Sequence, residues 1–118
     1  MPVMRLEKDG SVAVIHMTNG ANKQNLVFAE EMSLCMDEIE ADKDICALVL
    51  TSDDEKNFSQ GIDVEWLGQR MTEKDFATIK AFMYGMNNIF KRNLLFPMPV
   101  IAAINGHAFG NGRSEERR

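Results

Sequence analysis

The stretch PMPVIAAINGHAFGNG, residues 97–112, joins an apolar, β-branched run directly to a glycine-rich turn. Pro97 and Pro99 end the helical pattern before it, and VIAAI at 100–104 is typical of a buried strand. CALVL at 46–50 predicts a second strand that is buried on both sides. Helical patterns separate the two strands, so we expect a parallel pair joined by a right-handed crossover. The predicted fold class is therefore α/β.

Before the first of these strands, apolar and polar residues alternate on both sides of Asp9-Gly10. This alternation predicts a β-hairpin with a type I′ turn. The residues expected on its shared face are Met4, Leu6, Val12, Val14 and His16.

Three helices are predicted. The first runs over 27–41, with Asn25 as its cap, and buries Phe28, Met32, Cys35 and Ile39. Glu31 is expected to lie off that face. After a loop at 51–61, a short helix begins near Asp63 and ends at Gly68. Thr72 and Asp75 are expected to cap the third helix, whose amphipathic stripe is Phe76, Ile79, Met83, Met86 and Phe90.

Length and composition narrow the class of protein. The 118 residues suffice for one domain, and the 45% of apolar residues suffice for a packed core. The net charge of −5 argues against a nucleic-acid surface, and no apolar run approaches the ~20 residues of a membrane span. Because no leader is apparent, we expect a cytoplasmic protein with Cys35 and Cys46 as reduced, buried thiols.

Two glycine-containing segments follow the two predicted strands. These are FSQGID at 58–63 and NGHAFGNG at 105–112. In a parallel sheet both lie at carboxyl ends of strands, where ligands collect. Two such turns side by side can aim two backbone N–H donors at one oxygen, which defines an oxyanion hole. The alternative, that the glycines only permit tight turns, stays open from spacing alone.

Two longer motifs resemble the enoyl-CoA hydratase/isomerase family, also called the crotonase superfamily. NFSQGIDVEWL at 57–67 resembles that family's F-[SC]-x-G-x-D-[LV] loop. Residues 97–112 resemble its K-P-V-I-A-A-[VI]-N-G-x-A-x-G-[GA]-G block. NKQN at 22–25 resembles its acyl-CoA-contacting loop. The resemblance extends to Gly112 and implies that 1–112 form the N-terminal part of a crotonase-like ββα spiral.

The resemblance also implies a substrate and a site. The substrate would be an acyl-CoA thioester, with coenzyme A as part of the substrate and no separate cofactor. The backbone N–H groups of Ile62 and Asn111 would stabilise the thioester enolate, and Lys23 would lie near the CoA phosphates. Glu65 stands where a second basic residue is common. The full set of substrate-binding residues implied is Lys23, Gly61, Ile62, Asp63, Val64, Gly110 and Asn111.

Other chemistries have less support. His16 and His107 lie far apart in the chain, with no cysteine or carboxylate at ligand spacing, so no metal site is expected. His16 is expected to be structural, and His107 is a candidate for lining the acyl pocket. Ser59 lacks the G-x-S-x-G context of a hydrolase nucleophile.

The last six residues, RSEERR at 113–118, depart from the family, whose helix at this point is largely apolar. Burying five unpaired charges would cost more than the domain's stability. We therefore expect a truncated chain with a foreign or frameshifted tail, or a natural short variant with a solvated end. By motif count, the first glutamate of the hydratases falls at Ser114, and Glu115 and Glu116 point elsewhere.

Enzymatic activity is accordingly left open. The alternatives are a non-catalytic binding or assembly module and an inactive fragment of the family. Because full-length relatives are built as trimers, the resemblance implies a homo-oligomer.

Overall fold

The computed structural model describes residues 3–104 and 106–108, and the side chains of residues 107 and 108 lie outside that description. The terminal residues 109–118, with the glycine turn and the charged tail, also lie outside it. In chain order the elements are β1 (Met4–Asp9), β2 (Val12–Met17), α1 (Leu26–Ala41), β3 (Ala47–Ser52), β4 (Asn57–Ser59), α2 (Val64–Thr72), α3 (Phe76–Leu95), β5 (Val100–Ala102) and β6 (His107–Ala108).

The main sheet has the strand order β1-β2-β3-β5. Strand β1 is antiparallel to β2, whereas β2, β3 and β5 are mutually parallel. Leu48 lies opposite Val100, and Leu50 lies opposite Ala102. The predicted α/β class and the predicted parallel pair are therefore confirmed, with the two strands adjacent. Strands β4 and β6 form a separate two-stranded parallel sheet.

The hairpin is confirmed, but its turn and its face are not as predicted. The two loop residues are Gly10 and Ser11, and only Gly10 has a positive φ, of 61°. A glycine at the first loop position is the type II′ arrangement, whereas type I′ requires a positive φ at both positions. Met4 lies opposite Met17, and Leu6 lies opposite Ile15. The face they share is thus that of Ala13, Ile15 and Met17, and Val12, Val14 and His16 lie on the opposite face.

Helices cover one face of the main sheet, and the core lies between them. Strand β3 alternates, with Leu48 and Leu50 buried and Val49 half-buried. The prediction of a strand buried on both sides was therefore wrong. On β5, Ile101 pairs with Val49 and is 54% exposed. Cys46 precedes β3 and is exposed, which corrects the expectation of two buried thiols, whereas burial raises the pKa of Cys35 to about 11.

Helix α1 forms as its pattern predicts. The Asn25 side chain accepts a hydrogen bond from the Phe28 N–H at 3.1 Å, which caps the first turn. The four predicted core residues, Phe28, Met32, Cys35 and Ile39, are all buried. Glu31 is buried as well, contrary to expectation. Its carboxylate accepts a hydrogen bond from the backbone N–H of Val3 at 3.1 Å, which ties the start of the chain to the helix.

Helices α2 and α3 differ from their predictions at the ends and in the buried face. Gly68 lies inside α2, and Thr72 is that helix's last residue, so neither has its predicted role. Asp75 caps α3 as predicted. The buried residues of α3 are Phe82, Met86, Ile89 and Asn93, so the face is rotated from the predicted stripe. Phe76 and Met83 are both more than 60% exposed, because α3 packs on α1 and α2 along its other side.

None of the helices in the described part of the chain is long and apolar enough to cross a bilayer.

Candidate active site

The candidate site centres on the turn between β4 and α2. The predicted loop at 51–61 contains strand β4, and Gly61 and Ile62 link that strand to Asp63, the cap of α2. The Asp63 carboxylate accepts a hydrogen bond from the Trp66 N–H at 3.1 Å. Val64, in the first turn, is 74% exposed. The turn therefore ends at a helix N-terminus, where partial positive charge accumulates.

Hydrogen bonds to Gln24 set the direction of the Ile62 N–H. The Gln24 N–H donates to the Gly61 carbonyl at 2.8 Å, and the Asp63 N–H donates to the Gln24 carbonyl at 2.9 Å. The Gly61–Ile62 peptide is trans, so its N–H points opposite to its carbonyl. The Ile62 N–H therefore points away from Gln24. Gly61 has a φ of 82°, which residues with a side chain rarely adopt.

Two buried side chains, those of Ser59 and Asn22, support this turn through hydrogen bonds. The Ser59 hydroxyl donates to the Asn22 carbonyl at 2.8 Å and accepts from the Gly61 N–H at 3.2 Å. The Asn22 side chain donates to the Ser52 hydroxyl at 2.7 Å and to the Phe58 carbonyl at 2.9 Å. The turn is thus connected to the carboxyl end of β3.

Sequence reasoning missed these roles of Asn22 and Ser59. Asn22 has a φ of 51°, and asparagine is among the few residues that adopt the left-handed region. The sequence signal for this conformation was an asparagine within a polar loop. Ser59 gave none, because Asn22, whose carbonyl accepts from its hydroxyl, lies 37 positions away and meets it only in the folded chain.

The second glycine segment approaches the first through the pairing of β4 with β6. Asn57 lies opposite His107, and Ser59 lies opposite Ala108. At Gly106, an added Cβ would lie 2.5–2.6 Å from backbone atoms of Lys56 and Asn57. The segments that follow the two predicted strands therefore do meet. Gly110 and Asn111 lie outside the described residues, so the position of the second N–H donor stays a prediction.

The start of β4 is fixed by a carboxylate. Asp54 Oδ1 accepts hydrogen bonds from the backbone N–H groups of Lys56 and Asn57 at 2.8 and 2.9 Å. These donors stabilise the charged form and hold the pKa of the Asp54 carboxyl below its usual value. The loop is therefore ordered by its own side chain where it enters the site.

The remaining predicted binding residues lie at the surface. Lys23 is exposed, next to Gln24 in the segment that pairs with Ile62, and takes part in no ion pair among the described residues. Glu65 is exposed in the first turn of α2. The turn thus brings Lys23, Gly61, Ile62, Asp63 and Val64 into one region.

His16 lies away from this turn. Its ring nitrogens lie 2.8 Å from a Glu7 oxygen and 2.9 Å from an Asp53 oxygen, which accords with the structural role expected for it. No group of three or more His, Cys, Asp or Glu side chains suited to a metal ion occurs within residues 3–104 and 106–108.

Comparisons with known proteins agree with this architecture. Residues 7–114 match the sequence model of the enoyl-CoA hydratase/isomerase family. A short-chain-enoyl-CoA hydratase of Clostridium acetobutylicum is 38% identical over 111 residues, which are 91% of this chain and 40% of that protein.

Two solved structures show the same fold. The enoyl-CoA hydratase from Bacillus halodurans superimposes with a TM-score of 0.89 at 17% identity, over 96% of this chain and 46% of its own. That from Bacillus anthracis superimposes with a TM-score of 0.81 at 24% identity, over 96% and 43%.

The architecture is that of the crotonase superfamily, in its N-terminal part. The chain belongs to the enoyl-CoA hydratase/isomerase family. It spans less than half the length of these relatives.

Proposed function

We propose that this chain binds an acyl-CoA thioester and stabilises its enolate with the backbone N–H groups of Ile62 and Asn111. The observation that carries the proposal is the orientation of the Gly61–Ile62 peptide. The Gln24 N–H donates to the carbonyl of this peptide, so the Ile62 N–H is directed away from Gln24. This donor also lies beside the N-terminus of α2, whose partial charge favours an oxyanion.

The substrate follows from family membership and from the names of the relatives. A thioester carbonyl gains negative charge when its α-carbon loses a proton, and two fixed donors stabilise that charge best. Lys23 would contact the CoA phosphates, and residues 62–65 would lie along the pantetheine. We place the activity in fatty-acid metabolism on the same basis.

Exchange of the Ile62 amide for an ester tests the donor directly. An α-hydroxy acid with the isoleucine side chain removes the N–H and retains the side chain, and it makes the Gly61 carbonyl an ester carbonyl, a weaker acceptor for the Gln24 N–H. Loss of one such donor typically lowers a rate by about 10²–10³. Crotonyl-CoA carrying ¹³C at its thioester carbonyl is the probe, and its infrared carbonyl band should move to lower frequency on binding to the unmodified chain. The ester variant should lose much of that shift.

Ile62→Ala is the matched control, because it shortens the side chain and retains the N–H. It should keep the carbonyl shift. An equal loss in Ile62→Ala and in the ester variant would contradict a backbone donor at this position.

Hydration of crotonyl-CoA separates catalysis from binding. Ser114 stands where the hydratases place a glutamate, which favours a non-catalytic binding or assembly module as the second candidate. Turnover by the purified chain would exclude that candidate, whereas binding without turnover would favour it. Absence of any CoA-dependent thermal shift would indicate a fragment without a ligand.

A further inference from the structure

The proposed donor, the Ile62 N–H, lies in a turn whose backbone can change conformation easily. Gly61 lacks a side chain and can adopt either sign of φ at little cost, so the Gly61–Ile62 peptide can rotate unless hydrogen bonds on both sides of Gly61 hold it. Gln24 holds the following side, since its N–H donates to the Gly61 carbonyl and its carbonyl accepts from the Asp63 N–H. The preceding side of Gly61 is held by the hydrogen bond that its own N–H donates.

The acceptor of that N–H is the Ser59 hydroxyl. Ser59 is 1% exposed, and its oxygen both accepts from Gly61 and donates to the Asn22 carbonyl. The hydroxyl proton is thus directed at Asn22, which leaves an oxygen lone pair for Gly61. Gly61 is also buried, so without this acceptor its N–H would be left unpaired away from water.

Asn22 makes the hydroxyl a fixed acceptor. Its own side chain is anchored on Ser52 and Phe58, and its side-chain oxygen accepts from the Asn19 N–H at 2.9 Å. The path from the end of β3 to the Ile62 N–H therefore runs through Asn22, Ser59 and Gly61. Each member of the path is buried.

We propose that Ser59 is a positioning residue: by holding the Gly61 N–H, its hydroxyl maintains the backbone conformation of Gly61 in which the Gln24 hydrogen bonds direct the Ile62 N–H. This inference rests on the proposed role of Ile62 as an oxyanion donor. Donors act best when they are already aligned, and a displacement of about 1 Å in an active site can cost about 100-fold in rate.

The test compares the full chain with Ser59→Ala, and Ile39→Val serves as the stability control. Ile39 is fully buried near the end of α1, so its truncation weakens the core without touching the turn. In the ligand-free chains, hydrogen exchange of the Gly61 amide and the NMR shift of the Ile62 amide are measured. Ser59→Ala should speed Gly61 exchange by roughly tenfold, as expected for one lost hydrogen bond. It should also move the Ile62 resonance, and Ile39→Val should do neither.

The second readout is the carbonyl band of ¹³C-labelled crotonyl-CoA. Ser59→Ala should lose most of the shift seen with the parent chain, and Ser59→Cys, with a weaker acceptor, should fall between them. If Ser59→Ala fails to fold, the Cys variant takes its place in both measurements. An unmoved Ile62 resonance, or an undiminished carbonyl shift, would overturn the proposal.

The two hypotheses fail in different ways. If the parent chain leaves the carbonyl band unchanged or does not bind the probe, the proposed oxyanion function fails. The positioning of Ile62 is then judged on the amide measurements alone.

Discussion

Gly106 is the residue at which a single added methyl group should do most damage. The backbone atoms of Lys56 and Asn57 occupy the space where a Cβ would lie, and backbone yields less readily than the end of a side chain. We expect Gly106→Ala to lower the free energy of unfolding by about 1–3 kcal/mol or more and to separate β6 from β4. Urea unfolding measures the loss of stability.

Gly20→Ala is the control for that substitution. Gly20 has a positive φ, of 56°, and its surroundings are open, with no atom within 4 Å of an added Cβ. Gly20→Ala should lower the free energy of unfolding by about 1–2 kcal/mol, because alanine is disfavoured in the left-handed region. It should leave the amide resonances of β4 and β6 unshifted in NMR spectra. Displacement of those amides by both variants alike would argue against a close approach at Gly106.

Helix α2 contains a glycine that its secondary structure does not require. Gly68 is exposed in the interior of the helix, and an added Cβ there meets no atom within 4 Å. Gly68→Ala should therefore raise the free energy of unfolding by roughly 0.5–1 kcal/mol, because alanine loses less backbone entropy on folding. The urea midpoint should rise while the denaturant slope stays constant.

Gly85→Ala in α3 provides the comparison. There the new methyl group would lie 3.2 Å from the Ala29 Cβ, where α3 crosses α1. The gain in helix propensity is opposed by this crowding, so the stabilisation should be smaller than at Gly68. A larger gain at Gly85 would mean that the two helices separate easily.

At the scale of the whole molecule, we expect the exposed side of α3 to govern association. Phe76, Met83 and Tyr84 are each more than 60% exposed on this helix. Burying a large apolar side chain yields about 1.5–3 kcal/mol, so contact with another surface is favoured. We expect the chain to self-associate at micromolar concentration, and the double variant Phe76→Lys, Met83→Lys to do so less, as measured by light scattering.

Leu34→Lys is the control for association, since Leu34 is 56% exposed on α1. It should change the scattering little. A monodisperse 13.3 kDa monomer with a cooperative melt would show that the chain needs no partner for its apolar surface.

Local patterns in the sequence predicted the hairpin, the three helices and the strands β3 and β5, but not the short strands β4 and β6. Asn25, Asp63 and Asp75 each cap a helix through contacts only three residues along the chain. The parallel pair also followed, since two β-branched runs separated by helices have few ways to pair. The family motifs located the turn at Gly61 and Ile62. These features depend on short-range geometry or on a long, ordered motif, so a linear sequence contains them.

Features that depend on which distant atoms meet were decided only by the tertiary structure. Periodicity showed that α3 is amphipathic, but its packing against α1 and α2 selected Phe82, Met86 and Ile89 as the buried face. The need for glycine at 106 arises from the backbone of Lys56, 50 positions away in the chain. The hydrogen bond from the Ser59 hydroxyl to the Asn22 carbonyl likewise joins a strand to a loop 37 positions away, because a hydroxyl's partner is set by distance in space and not by distance along the chain.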